Sequence, residues 1–363
     1  MTDLVFLCDW LPPDFGAVGQ YALQYARQRA SKGQHVVLIG LTSAESSEQR
    51  EAVGSGELRV LRLHTPTYNR ASLRERACWT LRTNLSLVYR ALPEIRNCRE
   101  LMFTGSPPFL VHFVAPLNLL LRRRLIYRIS DFFPECLIAE FARTPWYLNA
   151  LQGLTLFWRK RVDVLEVLGE DQRRRLVEAG IPAPRIVLRR DTSPVAVTVT
   201  TKPLPRPETL ASRRILLYSG NFGVAHDHET FLAGYRRHHR EGSARVGLWL
   251  NATGARADAL ERALSAEGLP FHRTKPVPLE QLASLLVTPD AHLITLRDSF
   301  VGYVLPSKVY GCIDSGKPIL YVGPEESDVH ALCSSKSTPG WYVRVASRNA
   351  DGVFQALERL AEN

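Results

Sequence analysis

The stretch "LVFLCDWLPPDFGAVGQYA" (Leu4 to Ala22) decides how this chain is read. Leu4–Cys8 is a short apolar run of the kind found in strands buried on both faces of a parallel sheet. Pro12 and Pro13 lack the amide donor that a central strand needs, so the strand ends before them. Gly16 and Gly19 remove side chains where the chain turns, letting backbone N–H groups approach whatever lies there. A helical pattern starts at Gly19. A buried strand that passes through a Pro/Gly loop into a helix N-terminus opens a β/α series, and the loop suits an anion. Glycines alone do not assign a ligand.

The same alternation continues outward. Strand-like runs follow at Val36–Gly40, Leu58–Leu63, Leu101–Phe103, Leu125–Ile129, Val164–Val167 and Ile186–Leu188, with helix-like segments at Gly19–Ser31, Ala71–Leu92 and Glu170–Ala179. "DTSPVAVTVTTKPLPRPETLASRR" (Asp191 to Arg214) has no helical periodicity and reads as a linker. Alternation then restarts at Ile215–Ser219 and runs through Val246–Leu250, Leu269–His272, Ala291–Leu296, Ile319–Val322 and Trp341–Val345, with helices between them. Two β/α series predict two doubly wound, Rossmann-like parallel-sheet domains facing across a cleft. The expected bounds are 1–195, a linker over 196–212, and 213–363, with the last helix left open to packing back on the first domain.

The chain has 363 residues, 45% hydrophobic and 23% charged, which fits a globular protein of two ordinary domains. Its six cysteines are scattered without a close CxxC pair, which excludes a disulfide framework or a zinc site and points to a reducing compartment. No basic-then-apolar leader opens the sequence, so no secretory signal is expected. The longest apolar stretch, Phe109 to Leu121, is too short to span a bilayer. The net charge of +10 is uneven: residues 1–195 hold 27 Lys/Arg against 19 Asp/Glu, and residues 196–363 hold 19 against 17. The excess points to an anionic partner, either a membrane surface or a nucleic acid. A nucleic-acid module with interleaved aromatic and basic residues is not recognisable, so no nucleic-acid partner is expected.

Three stretches carry chemistry. In "LLYSGNFGVAHDHETF" (Leu216 to Phe231), Gly220, Asn221 and Gly223 separate a strand from a helix whose start is marked by Asp227. The loop is either a phosphate cradle or a turn capped by Asp227. Its histidines form no fixed ligand set and read as surface residues of a polar helix, so no metal is expected. In "SFVGYVLPSKVYGCIDSGKPILYVG" (Ser299 to Gly323), Ser307 starts a helix and Lys308 opposes its dipole, a conflict that a bound diphosphate would reverse. Gly302 permits close backbone approach there. In "SDFFPE" (Ser130 to Glu135), Asp131 follows a strand at the carboxyl edge, where site residues gather, and Glu135 is a second acidic candidate. Capping is the alternative role of Asp131, and the acceptor-side role is favoured because loops at that edge carry sites; His112, in an apolar segment, reads as a core histidine.

Together these stretches, with "SKGQHVVLIG" (Ser31 to Gly40) and "FTGSPP" (Phe103 to Pro108), resemble the GT-B glycosyltransferases, in particular the retaining family-four group that builds bacterial surface polysaccharides. The resemblance covers nearly the whole chain. It implies transfer of a sugar from a nucleotide-sugar donor to an acceptor hydroxyl, without a metal or other cofactor. Where many members carry two glutamates eight positions apart, this chain has Tyr303 and Gly311, and Asn221 stands in place of a diphosphate-gripping arginine. Lys308 of the "PSK" motif then takes over as the diphosphate cation.

On this resemblance Gly16, Gly19, Gly220, Asn221, Gly223, Gly302, Ser307 and Lys308 bind the donor, and Asp131 and Glu135 serve the acceptor side. The acceptor is a lipid-linked saccharide or a small molecule. Apolar residues run directly into Arg122, Arg123 and Arg124, the order expected where a helix meets lipid headgroups, so the three arginines are expected to face an anionic membrane. Burial of that helix against its sheet is the plain alternative for its apolar half. The implied location is the cytoplasm, peripherally on the inner membrane face. A nucleotide-sugar epimerase on the same fold is the rival enzyme reading.

Overall fold

Leu4, Val5, Phe6, Leu7 and Cys8 are completely buried, because β1 (Thr2–Trp10) runs through the middle of an eight-stranded sheet. The computed structural model describes residues 2–14, 16–66, 73–335 and 341–362. They divide into two compact units, Met1–Arg190 and Asp191–Asn363.

In the first unit β1 is followed by α1 (Ala17–Ser31), β2 (His35–Thr42), β3 (Ser47–Val53), β4 (Gly56–His64) and α2 (Leu73–Arg96). Then come β5 (Cys98–Thr104), α3 (Val111–Leu121), β6 (Arg124–Ile129), the single turn α4 (Glu135–Ile138) and α5 (Trp146–Arg159). β7 (Val164–Val167), α6 (Glu170–Glu178) and β8 (Ile186–Leu188) complete it. The strand order is β3-β4-β2-β1-β5-β6-β7-β8. All neighbours are parallel except β3, which pairs antiparallel with β4. Strand order reverses between β1 and β5, and there the carboxyl ends of an open α/β sheet leave a crevice. β3 escapes a reading by apolar runs because "SEQREAV" is a polar, solvent-facing edge strand. The first two residues of the helix expected over Ala71–Leu92 lie outside the described ones, and α2 runs from Leu73 through Pro93 to Arg96. α5, not anticipated at all, is apolar around much of its circumference and so lacks a clean two-faced pattern.

The second unit contains β9 (Arg214–Asn221), α7 (His228–Arg240), β10 (Val246–Thr253), α8 (Ala255–Ala266), β11 (Phe271–Thr274) and α9 (Leu279–Val287). β12 (Ala291–Thr295), α10 (Lys308–Asp314), β13 (Ile319–Val322), α11 (Asp328–Ser335), β14 (Tyr342–Val345) and α12 (Ala350–Glu362) follow. Its six strands are all parallel, in the order β11-β10-β9-β12-β13-β14, and reverse between β9 and β12. The Thr/Pro-rich stretch before β9 is attached to this unit. The Leu204 amide donates to Thr288 Oγ1 at 2.8 Å, Arg206 pairs with Asp290 at 2.8 Å, and Leu210 is buried with Ile215, Leu217 and Trp249.

α12 buries Val353, Leu357 and Leu360 with Phe231 and Tyr235 of α7 in the second unit's own core. Glu358 of α12 accepts from His238 Nδ1, and His238 Nε2 accepts the Val246 amide at 3.0 Å. This neutral histidine ties α12, α7 and β10 of the second unit together. Among the described residues no helix is long and apolar enough to cross a membrane.

Candidate functional site

The second sheet parts at its switch point. β9 pairs with β10 as far as Asn221–Thr253, but with β12 only through Leu216–Ala291 and Leu217–His292. Beyond that level the gap is bridged by other bonds between the loop after β9 and the end of β12, one of them from the Arg297 amide to the Ala225 carbonyl at 2.8 Å. His226, buried in the loop after β9, donates from Nδ1 to the Thr295 carbonyl at the end of β12, 2.6 Å away. Its ring stands edge-on to Tyr218, and Tyr218 stacks on Phe222 at 3.9 Å. Burial, with Lys308 nearby, holds the His226 imidazole down to about 3, so it is neutral at physiological pH.

Lys308, the first residue of α10, enters the same gap. Its ammonium is buried, makes no hydrogen bond among the described residues, and lies 3.0 Å from the centre of the Tyr218 ring. The residue as a whole is only half-buried, so the stem reaches the surface while the charged end points inward, the reverse of a snorkelling lysine. Burial pushes its pKa well below the ordinary lysine value. The ammonium is thus drawn into the protein at the switch point rather than extended from the start of α10.

The remaining second-unit candidates lie on the loops at this edge. Gly220 has φ +103° and Gly302 φ +75°, left-handed conformations that favour glycine. Asn221 and Ser307 are exposed, and Ser307 makes no capping bond with its side chain. Gly223 has ordinary space about it. Asp227 caps α7, accepting the Thr230 amide at 2.9 Å, so the capping reading of that residue holds. His228 and His238, read from sequence as surface residues, are buried. Among the described residues no group of three His, Cys, Asp or Glu is placed to hold a metal.

In the first unit the loop after β1 is fastened down. Asp14 accepts from Thr42 Oγ1 at 2.8 Å and from the Ser43 amide at 3.0 Å, and Arg62 donates to the Pro12 carbonyl at 2.9 Å. Across the β1/β5 switch point Ser106 Oγ donates to Asp9. Gly19 has a packing reason to be glycine: a Cβ there would lie 1.8 Å from the Trp10 carbonyl oxygen. α1 therefore approaches the end of β1 as closely as backbones allow, which corrects the expectation that Gly19 is bare to admit a ligand. Gly16 is different. It starts α1 with extended backbone, and a Cβ there would meet Trp10 only at ordinary contact distance.

Asp131 follows β6 at the carboxyl edge and is exposed, yet dense protein around its carboxyl lifts the pKa to about 6 by desolvation. The backbone on both sides of it is anchored. Gln172 donates to the Ser130 carbonyl at 2.9 Å. Glu135 is buried and bound bidentately by buried Arg159, at 2.5 and 3.1 Å, and Arg159 also donates to the Phe133 carbonyl at 3.0 Å. Glu135 is therefore engaged inside the unit rather than presented beside Asp131. Nothing in the spacing of Glu135 and Arg159 marks them as a pair in sequence. His112 is half-buried, its Nε2 within 2.9 Å of Thr155 Oγ1, and burial lowers its pKa, in keeping with a packed histidine.

Of the three consecutive arginines, Arg123 donates to the Arg96 carbonyl and Arg124 pairs with Glu100 at 2.7 Å. Arg122, at φ +52° after α3, is exposed and has no ion pair among the described residues. The triplet is thus not one outward cationic patch, since two of its members are bound to protein. A cavity of about 810 Å³ opens at the opposite, amino-terminal edge of the first sheet. Of the arginines lining it, Arg50 and Arg59 are paired with Glu48, and Arg59 also with Glu94.

No family model matches the sequence, and no curated protein does. Solved structures do match over nearly the whole chain. An α,α-trehalose-phosphate synthase (UDP-forming) from Burkholderia vietnamiensis superposes with a TM-score of 0.66 at 12% identity, over 99% of this chain and 89% of that one. HepE of Anabaena, in complex with UDP and glucose, gives a TM-score of 0.65 at 9% identity, over 99% and 90%. WaaG, a glycosyltransferase involved in lipopolysaccharide biosynthesis, gives 0.60 at 13% identity, over 99% and 90%. The chain has the architecture of GT-B glycosyltransferase structures, with two parallel-sheet Rossmann-like domains.

Proposed function

We propose that this chain is a glycosyltransferase that moves a sugar from a nucleotide-sugar donor to an acceptor hydroxyl with retention. The observation that carries the reading is the Lys308 ammonium, buried at the switch point of the second sheet with no anionic partner among the described residues. A buried charge without a partner is costly, and a diphosphate is the class of ligand that would match it. Likeness to solved structures described with UDP, or as UDP-forming, supports the same chemistry.

In this reading the second unit takes the donor. Lys308 and the backbone around Gly220, Gly223 and Ser307 supply positive potential for the diphosphate, in place of a metal ion. The bond from the anomeric carbon to the diphosphate oxygen breaks, its electron pair leaving on the nucleoside diphosphate. The acceptor oxygen bonds to the same face of that carbon, and its proton passes to Asp131, a carboxylate above about pH 6. The acceptor is a lipid-linked saccharide of the cell envelope, met at the cytoplasmic face of the membrane. Incubation with a nucleotide sugar tests the reading. The expected result is nucleoside diphosphate released only when a polyprenyl-diphosphate-linked saccharide is present. Conversion of donor without acceptor would mark an epimerase, and transfer to soluble sugars alone would remove the lipid-linked acceptor.

A further inference from the structure

Among the described residues, the exposed large hydrophobic side chains are concentrated in the first unit, and most of them stand on three helices. α3 lies against both α2 and α5, so the three helices are neighbours in one group. On α2, Leu81, Leu85 and Tyr89 are exposed at successive four-residue steps, a single outward stripe. α3 exposes Leu119 and Leu120 in its last turn, and α5 exposes Trp146, Leu154 and Phe157. Leu120 is 82% exposed and Trp146 80%, values that packing within the chain leaves unexplained.

The charge beside the apolar side chains of this group is mainly positive, with Glu75 and Glu94 near the two ends of α2. Neither α3 nor α5 contains an Asp or Glu. Exposed Arg82 and Arg90 adjoin the α2 stripe, Arg122 follows α3, and Lys160 and Arg161 follow α5. The Arg161 guanidinium lies 3.4 Å from the centre of the Phe157 ring, so cation and aromatic face outward as a pair. Apolar side chains bordered by Lys and Arg, with Trp among them, are the composition that enters the headgroup region of a bilayer.

We propose that the outer face of α2, α3 and α5 docks on an anionic lipid bilayer, with Trp146, Leu120 and Phe157 entering it. A second copy fits this face poorly, because a two-fold contact would set the same cations against themselves. The proposal deepens the lipid-linked acceptor reading by naming the partner surface, and it is tested without turnover, so the two fail separately.

The test uses the full chain with vesicles of phosphatidylcholine, with and without phosphatidylglycerol. Co-sedimentation should require phosphatidylglycerol and fall with added salt. Bromine-labelled acyl chains should quench Trp emission, and Trp146→Phe should remove part of that quenching while retaining binding. Neutralising Arg122, Lys160 and Arg161 together to Gln should weaken partitioning about a hundredfold, at roughly fivefold for each basic residue. Trp146→Ser with Phe157→Ser should also weaken it, with an unchanged melting temperature, since both positions are exposed. Equal binding to neutral vesicles, or indifference to these substitutions, would overturn the proposal. So would a dimer that Trp146→Ser dissociates, found without vesicle binding.

Discussion

Lys308 and Phe222 sit on opposite faces of one ring. The Lys308 ammonium is 3.0 Å from the centre of Tyr218, and Phe222 stacks on the same ring at 3.9 Å and 12°. Both cannot occupy one face, so Tyr218 is sandwiched between cation and aromatic. A desolvated cation–π contact contributes about 2 kcal/mol, whereas taking an ammonium out of water without an anion costs several. The balance is unfavourable, and the lysine end is held under electrostatic stress.

Lys308→Met keeps the length of the side chain and removes that stress. The variant should melt at or above the wild-type temperature and bind nucleoside diphosphate about 10- to 100-fold more weakly, the loss of one charge-assisted contact of roughly 1.5–3 kcal/mol. Binding of the bare nucleoside should barely change. The stability difference should also depend on pH. The folded pKa of Lys308 lies below the unfolded one, so the unfolded chain binds more protons and wild-type stability rises with pH. The penalty is fully present below the folded value and vanishes as pH passes the ordinary lysine value of about 10.4. Thermal melts of both proteins across pH, read as a difference, check the sign.

Asp131→Asn preserves shape and removes the charge. Transfer should fall by at least about a hundredfold, the usual range for a lost acid–base group, while donor affinity and melting temperature hold. In the wild type, kcat/KM should climb as pH rises through about 6, where the carboxyl deprotonates, and that limb should be missing from the variant. A variant that melts much lower yet keeps its specific activity would leave Asp131 a structural residue.

Glu135→Ala should behave in the opposite way. It strands the Arg159 guanidinium, 2% exposed, without its carboxylate, a loss on the order of 3–5 kcal/mol. Denaturant unfolding should register it plainly, and the double replacement of Glu135 and Arg159 by Met should recover most of the stability. Recovery of stability without recovery of activity would mean that the pair also positions Asp131.

Gly16 and Gly19 separate packing from binding. Gly19→Ala forces α1 off the Trp10 carbonyl and should cost about 2 kcal/mol or more of stability. Gly16→Ala has room, and its φ of −178° suits any residue, so it should melt like the wild type. Weaker donor binding in Gly16→Ala alone, measured by calorimetry, would put that loop against the ligand.

The strands were legible because a central parallel strand is apolar without interruption, as in Leu4–Cys8 and Ile215–Tyr218. The switch-point loops were legible because proline and glycine must end such strands. What stayed hidden has physical reasons. β3 is a polar edge with nothing to bury on its outer side. Arg159 lies 24 residues from Glu135, and only the folded unit makes them partners. A glycine in sequence reveals a missing side chain but not what occupies the space, so Gly19 looked like an opening when it is a contact. The direction of Lys308 is a choice of rotamer, and a motif carries no rotamer.

The short pairing of β9 with β12 has a wider consequence. It makes the second sheet two three-stranded leaves, sewn at two residue pairs and stitched higher up by the His226 ring on Thr295 and by the Arg297 amide on the Ala225 carbonyl. A molecule lying over that seam adds a fastening where the hydrogen-bond ladder has fewest, so amides on both leaves should gain exchange protection together when it binds. The line along which this sheet has the fewest ladder bonds is then the line along which a bound ligand would register.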